Sequence, residues 1–229
     1  MYKVNISQQG ARLTKPFTMI ELAYIEDFAV SIYLCHGTLA WHKHLDQDEL
    51  FLVHSGVITL DTEMGSLNLQ AGELAVVPKG VVHRSSSLIR SEVLLFSPRF
   101  LPDRKNGDRR IVASQGSLSK TSLYELGSTL SKPYHSVAVA EVEDFILNVM
   151  LCDGTSIWYE KPARPLLFIV MEGLIKLEVG PESLLMERAD LTLIPSNYIY
   201  RIHAPRRTLA LVFHKRECRR CGPPIGEHP

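Results

Sequence analysis

The sequence is poor in the features that mark special classes of protein. It has four cysteines in 229 residues, too few for a disulfide framework to stand in for a hydrophobic core. No apolar run reaches the ~18 residues that a membrane-spanning helix needs. Neither sign of charge is in excess, because 25 Lys and Arg balance 25 Asp and Glu. A neutral chain has no field to attract nucleic acid or an anionic membrane. The opening stretch, Met1 to Gly10, is polar and lacks the apolar centre of a signal peptide, so a cytoplasmic location is expected. Apolar residues at 45% and charged residues at 22% exclude a disordered chain. The length suits one large or two small domains.

What the chain does contain is a second version of itself. Shifted by 117 positions, it aligns without a gap: Glu26-Asp27-Phe28 falls on Glu143-Asp144-Phe145, Leu34-Cys35 on Leu151-Cys152, and Gly37-Thr38 on Gly154-Thr155. Trp41 meets Trp158, Gly56 meets Gly173, Leu60 meets Leu177, Pro78 meets Pro195 and Phe96 meets Phe213. The expected organisation is a first domain over 1–98, a second over 133–215 and a tail over 216–229. Between the domains, 99–132 is polar and rich in charge, Ser and Gly, which reads as a connector. Its part from Ser117 to Leu126 can hold one short helix or run as a flexible linker.

Each copy is patterned as β structure. Residues 49–53, 57–60, 74–77 and 92–96 are short, β-branched, leucine-rich or aromatic runs, bounded by Gly56, Gly65, Gly72 and the Pro78-Lys79-Gly80 turn. Short strands with regularly spaced turns point to an all-β sandwich or small barrel.

One cluster in the first copy carries chemistry. His42 and His44 are two apart, so on a strand both imidazoles aim at one point. Glu49 opens the next strand; if it faces inward, so do Phe51 and Val53. His83 follows the Pro78–Gly80 turn. Three imidazoles and a carboxylate converging in one barrel suit a single divalent transition metal, Fe, Mn, Ni, Co, Cu or Zn, with room for water or substrate.

These residues resemble the cupin superfamily. Gly37, His42, His44, Glu49 and Gly56 fit the first cupin motif, with one residue fewer than usual before His42. Gly72, Pro78, Gly80 and His83 fit the second, with Ser87 where Asn is common. The string 48–53 together with Pro78-Lys79-Gly80 and His83 is most similar to small cupins loosely labelled mannose-6-phosphate isomerase-like. With the repeat, the resemblance implies a bicupin: two tandem jelly-roll (double-stranded β-helix) barrels.

The second copy has lost the ligand set. Tyr159, Lys161, Leu166 and Tyr200 stand where His42, His44, Glu49 and His83 stand in the first, and Leu or Lys cannot hold a divalent cation. Gly154, Trp158, Gly173 and Pro195 remain, and Asn197 replaces Gly80 with the next most tolerant residue for a left-handed turn. The second barrel is read as scaffold, dimer partner or lid, or as a metal-free pocket using Tyr159, Lys161 and Tyr200. Trp41, Cys35 and Arg84 recur as Trp158, Cys152 and Arg201, which makes them structural. Lys43 and Trp41 are expected to face away from the histidines, and His36 and His54 to face solvent. Tyr33 suits either face. In the tail, His214, Cys218, Cys221 and His228 have a spacing able to hold zinc, against the alternative of a loosely packed segment.

The expected function is a metal-dependent enzyme acting on a small organic acid, diketone or sugar derivative. His42, His44, Glu49 and His83 would be its ligands, and Glu49 its candidate base. Dioxygenase chemistry is favoured slightly over isomerase or lyase chemistry. Resemblance to pirin-like and quercetinase-like bicupins implies either oxygen chemistry or a metal-dependent sensor, so a non-catalytic small-molecule or redox sensor is the alternative. A storage role is disfavoured by the intact ligand set. Monomer and homodimer are both open.

Overall fold

Register decides this fold, because side chains on a strand alternate between faces. A computed structural model describes residues 1–99, 118–160 and 162–216, and the backbone of 105–106. In chain order the elements are β1 (Lys3–Asn5), α1 (Ile6–Ala11), β2 (Met19–Ile25), β3 (Phe28–Thr38), β4 (His42–Lys43), β5 (Glu49–Ser55), β6 (Val57–Thr62), β7 (Gly65–Gln70), β8 (Glu73–Val77), β9 (His83–Pro98), β10 (Lys105–Asn106), β11 (Thr121–Ser122) and α2 (Leu123–Thr129). They continue as β12 (Ser136–Val142), β13 (Phe145–Thr155), β14 (Leu166–Glu172), β15 (Leu174–Val179), β16 (Glu182–Glu187), β17 (Asp190–Ile194) and β18 (Tyr200–Lys215). Among the described residues, ten strands form one sheet and eight another. The all-β reading therefore holds, with two tandem β-barrels.

The chain divides into an N-terminal unit, Val4–Ser128, and a C-terminal unit made of Met1–Lys3 and Thr129–Pro229. The division differs from the sequence reading in two ways. β11 and nearly all of α2, expected in the connector, count with the first barrel, and the first three residues count with the second. The reason is edge pairing. β11 adds to the edge of β8, with Thr121 opposite Leu74, and Lys120 Nζ lies 2.8 Å from Glu73 Oε2. In the C-terminal unit Thr192 Oγ1 donates to Tyr2 O at 2.6 Å, and Lys3 Nζ lies 2.8 Å from Asp190 Oδ2.

In the N-terminal unit β9 is the organising strand. Its second half pairs with β3 on one edge, from Phe28 opposite Pro98 to Cys35 opposite Ser91, and with β5 on the other. Exposed Leu88, Ile89 and Arg90 mark where it turns out of that ladder. Its first half pairs with β6 and, at His83, with His42 of β4. Tyr33, Cys35, Phe51, Val53, Ile58 and Leu60 pack inside the barrel. The C-terminal unit keeps this register at the 117-residue offset: β18 pairs with β13 from Phe145 opposite Lys215 to Cys152 opposite Thr208, and with β14 and β15. Among the described residues, no helix is long and apolar enough to cross a membrane.

Both helices are short. α2 (Leu123–Thr129) overlaps the end of the segment read as able to hold a helix, Ser117 to Leu126, and runs three residues past it. α1 was missed, because one turn and a half of polar residues shows no apolar period. Its N-cap is Asn5, whose Oδ1 accepts from Gln8 N at 3.0 Å. The signal was the offset itself, since buried Ile6 and Gly10 recur as buried Leu123 and Gly127. Backbone conformation recurs as well. Glu26 and Glu143 both have φ near 50° (52° and 51°), and Asn197 at φ 68° takes the left-handed place of Gly80 at φ 81°.

The recurring side chains form structural units. The Arg84 guanidinium lies 4.6 Å over the Trp41 ring and bonds Asp61 Oδ2 at 3.0 Å. Arg201 lies 4.6 Å over Trp158 and bonds Glu178 Oε2 at 2.8 Å. Cys35 and Cys152 are buried. Burial pushes the Cys35 thiol up to about 11, against a lowering hydrogen bond with Ser85, and pushes the Cys152 thiol up to about 12.

Two outcomes follow from this packing. Gly56 has φ +81°, and a Cβ there would lie 2.3 Å from Ser91 Oγ and 2.9 Å from Ser91 Cα. Gly56→Ala is expected to destabilise the chain by roughly 1–3 kcal/mol, read as a lowered denaturation midpoint. Both buried thiols stay protonated at pH 8, and the thiolate is the nucleophile. Iodoacetamide at pH 8 should therefore leave the Cys35 and Cys152 peptides unmodified in native protein and alkylate both in guanidinium, as read by peptide mass mapping.

Candidate metal centre

The four expected donors meet in the N-terminal unit. His42, His44, Glu49 and His83 are all buried, and one donor atom from each lies within 4.8 Å of the others. Three separate pieces of backbone bring them there. The His42–His83 pairing across β4 and β9 sets two imidazoles side by side, their centroids 4.4 Å apart. Glu49 begins β5, opposite Val77 of β8. His44 sits in the loop after β4, and that loop is pinned to the Pro78–Gly80 turn: Gly80 N donates to His44 O at 2.6 Å, and Lys79 N donates to Asp48 Oδ1 at 2.8 Å.

Hydrogen bonding orients the rings. His42 Nδ1 donates to Ala40 O at 2.9 Å and His83 Nδ1 to Val81 O at 3.0 Å. A carbonyl can only accept, so each Nδ1 carries a hydrogen and each Nε2 is turned towards the cluster, the arrangement common behind metal-bound histidines. Glu49 Oε2 lies 3.0 Å from His83 Nε2 and 3.3 Å from His44 Nε2. Burial alone would raise the Glu49 carboxyl, but hydrogen bonds from His44 and His83 and the charge of both rings outweigh it and hold it at about 2. The carboxylate is thus an anion at neutral pH.

His44 tests whether this group fits a cation. Its Nδ1 has no hydrogen-bond partner and its Nε2 meets only Glu49 Oε2, at 3.3 Å, although the side chain is buried. Such a group costs about 1–3 kcal/mol when left unpaired. An ion held by the Nε2 lone pairs and the carboxylate would satisfy Nε2 of His44 and replace the protons shared among these groups. The buried cluster could hold a divalent metal ion, and the donor set does not select among the first-row metals.

The wall beside the donors was only partly foreseen. Phe17, Met19, Tyr33, Leu39, Phe51 and Leu95 border a cavity of about 40 Å³ that reaches His42, Glu49, His83 and Ser85. Phe51 faces it as expected, with its ring 5.9 Å from that of His83, while Val53 lies in the core. Tyr33, left open by the sequence, lines the cavity and donates to Ser85 Oγ at 3.2 Å. Ser85 was missed; its signal was its place two residues from His83 on one strand. Phe17 was missed because it lies outside any strand, at φ 56°. Trp41 and Lys43 are half-buried between the buried histidines, in keeping with alternation. His36 is exposed as expected, whereas His54 is half-buried, its Nε2 2.8 Å from Ser7 Oγ.

In the C-terminal unit, Tyr159 and Tyr200 form the bridge that His42 and His83 form in the first, with rings stacked 4.6 Å apart. Leu166 opens β14 where Glu49 opens β5. Lys161 lies outside the described residues, as do Cys218, Cys221 and His228 of the tail. His214 is described: its Nδ1 donates to Lys215 O at 3.0 Å and its Nε2 lies 3.0 Å from Asn148 Nδ2.

Comparison with known proteins agrees with this geometry. Residues 32–89, which include all four donors, match the family model of the cupin domain. An uncharacterized protein of Bacillus subtilis, YdbB, is 34% identical over 71 residues, which is 31% of this chain and 63% of that protein. The chain therefore spans less than two thirds of that relative's length. Among solved structures, a cupin 2 conserved barrel domain protein from Leptotrichia buccalis is similar with a TM-score of 0.71, 9% identity and coverage of 94% of this chain and 96% of the other. Salicylate 1,2-dioxygenase from Pseudaminobacter salicylatoxidans is similar with a TM-score of 0.73, 11% identity and coverage of 93% and 83%. At such identities the likeness establishes the fold. The family match covers the segment that supplies every candidate donor, and the solved structures show a cupin-barrel fold over most of the chain.

Proposed function

We propose that the N-terminal barrel is a mononuclear metal centre acting on a small organic substrate, with dioxygenase-type chemistry ahead of isomerase or lyase chemistry. The observation that carries this reading is the buried cluster of His42, His44, Glu49 and His83, one donor atom of each lying within 4.8 Å of the others. In this reading His42, His44, Glu49 and His83 hold the metal. When bound, the metal supplies Lewis acidity and open coordination positions. The chain's own residues do the rest. Ala40 O and Val81 O fix the tautomers of His42 and His83. Phe17, Phe51 and Leu95 keep bulk water from the donors, and the Tyr33–Ser85 pair offers a polar anchor.

Glu49 serves first as an anionic ligand. A carboxylate held at about 2 is a weak base, so as proton acceptor it would serve only a substrate proton that is itself acidic. The dioxygenase preference draws on the similarity to salicylate 1,2-dioxygenase, one variant of which was solved in complex with gentisate. Internal duplication, with one barrel keeping and one losing its ligands, and a cytoplasmic location belong to the same proposal. The oligomeric state is left open between monomer and homodimer.

A second reading, a metal-dependent sensor without turnover, is favoured by one measurement. The cavity beside the donors, about 40 Å³, admits a water or two, so an organic substrate would need the wall to open.

Elemental analysis tests the centre. Wild-type protein is expected to carry one equivalent of a divalent transition metal, Cys218→Ser/Cys221→Ser to carry the same, and His42→Ala to lose it. Metal retained in His42→Ala, or lost with the two tail cysteines, would sink the proposal. Oxygen uptake then separates the readings. Iron-loaded protein given gentisate and other small organic acids should consume oxygen in step with substrate. Substrate turnover without oxygen uptake would move the reading to isomerase or lyase chemistry, and binding without turnover to a sensor.

A further inference from the structure

The C-terminal barrel has lost the metal donors and kept the site. Its cavity measures about 370 Å³, within the range of small-molecule pockets and far larger than the one beside the donors. It occupies the equivalent place in the fold. Tyr134, Ser136, Met150, Tyr159, Leu166 and Tyr200 of its lining stand at the 117-residue offset from Phe17, Met19, Tyr33, His42, Glu49 and His83 of the first cavity. Even the unusual backbone is repeated, with Tyr134 at φ 61° where Phe17 has φ 56°. A bulky residue at positive φ is costly and persists where the surroundings impose it. Here Tyr134 N donates to Leu151 O and Phe17 N to Leu34 O, both at 2.7 Å.

The chemistry of the lining is specific. Met150, Leu166 and Val212 give apolar surface, and the stacked Tyr159–Tyr200 pair gives an aromatic face. The Tyr159 hydroxyl is buried and has no hydrogen-bond partner, a cost that a ligand oxygen would remove. Burial pushes both phenols up, and at Tyr159 the neighbouring Tyr200 adds to the effect. Both hydroxyls therefore stay protonated and can donate. Arg164 and Lys215 border the cavity against one carboxylate, Glu160, and Lys215 also pairs with Asp144 at 2.9 Å. The donors and the cationic border both favour an acceptor-rich, negatively charged group.

We propose that the C-terminal barrel is a metal-independent binding site for a small organic anion, a carboxylate on a planar apolar body, held by Tyr159 and the Arg164 border over the tyrosine face. The site uses no group of the metal centre, so it stands or falls separately from the function proposed above.

The test is calorimetric titration of the full-length protein with benzoate and with its neutral isostere benzamide. Benzoate is expected to bind and benzamide to bind at least about tenfold more weakly. Tyr159→Phe, which removes only the hydroxyl, should weaken benzoate by about tenfold. Met150→Trp, which fills the cavity, should abolish binding, with thermal melts confirming that both variants are folded. His42→Ala should bind benzoate like wild type. No benzoate binding in wild type, or equal binding of benzamide, would overturn the proposal. So would binding that persists in a folded Met150→Trp or disappears in His42→Ala, and the last result would place the ligand at the metal centre instead. If Met150→Trp does not fold, unchanged affinity in Tyr159→Phe is the overturning result.

Discussion

The N-terminal barrel depends on the pairing of β9. Along its 16 residues this strand is hydrogen-bonded to β3 and β5 in its second half, and to β6, β3 and His42 in its first. Part of the core and one member of the cluster, His83, are therefore cut from one strand. Leu94 and Phe96 are buried in the same ladder whose far end aims His83 at Glu49. A slip of one residue would expose the core and turn the imidazole outward together. The site is rigid because the register that would have to break to loosen it is the register that buries the core.

The two barrels separate fold from chemistry. Both keep the long bent strand, the same ladder register and the stack of Arg on Trp braced by an acid. They differ in what faces the centre: three histidines around a carboxylate in one, two stacked tyrosines beside a leucine in the other. Replacing charged donors by apolar and aromatic surface removes the need to satisfy buried charge. It also changes the space available, from about 40 Å³ to about 370 Å³. Since side chains at a few positions carry that change, the backbone argues for no particular activity.

Much of this was legible before any coordinates. The strands at 49–53, 57–60 and 74–77 fall within β5, β6 and β8, and 92–96 within β9. Their alternation and turn glycines are local signals. The donor set was legible because motif spacing reflects strand geometry. Less legible were α1, too short to show a period, and the edge strands β1 and β11, whose pairing is with β17 and β8, distant in sequence. His54 was misread as solvent-facing because its partner, Ser7, belongs to the unforeseen helix.

The sequence by itself determined the strand pattern, the self-alignment at 117 positions, the four candidate donors and the residues that replace them in the second copy, since each of these is written in residue type and spacing. Only the tertiary structure decided the tautomers of His42 and His83, the partnerless Nδ1 of His44 and the inward face of Tyr33. It alone decided the size of the two cavities. The reason is physical: a hydrogen-bond partner or an empty volume is a relation between residues far apart in the chain, fixed by register and packing, and no local pattern encodes it.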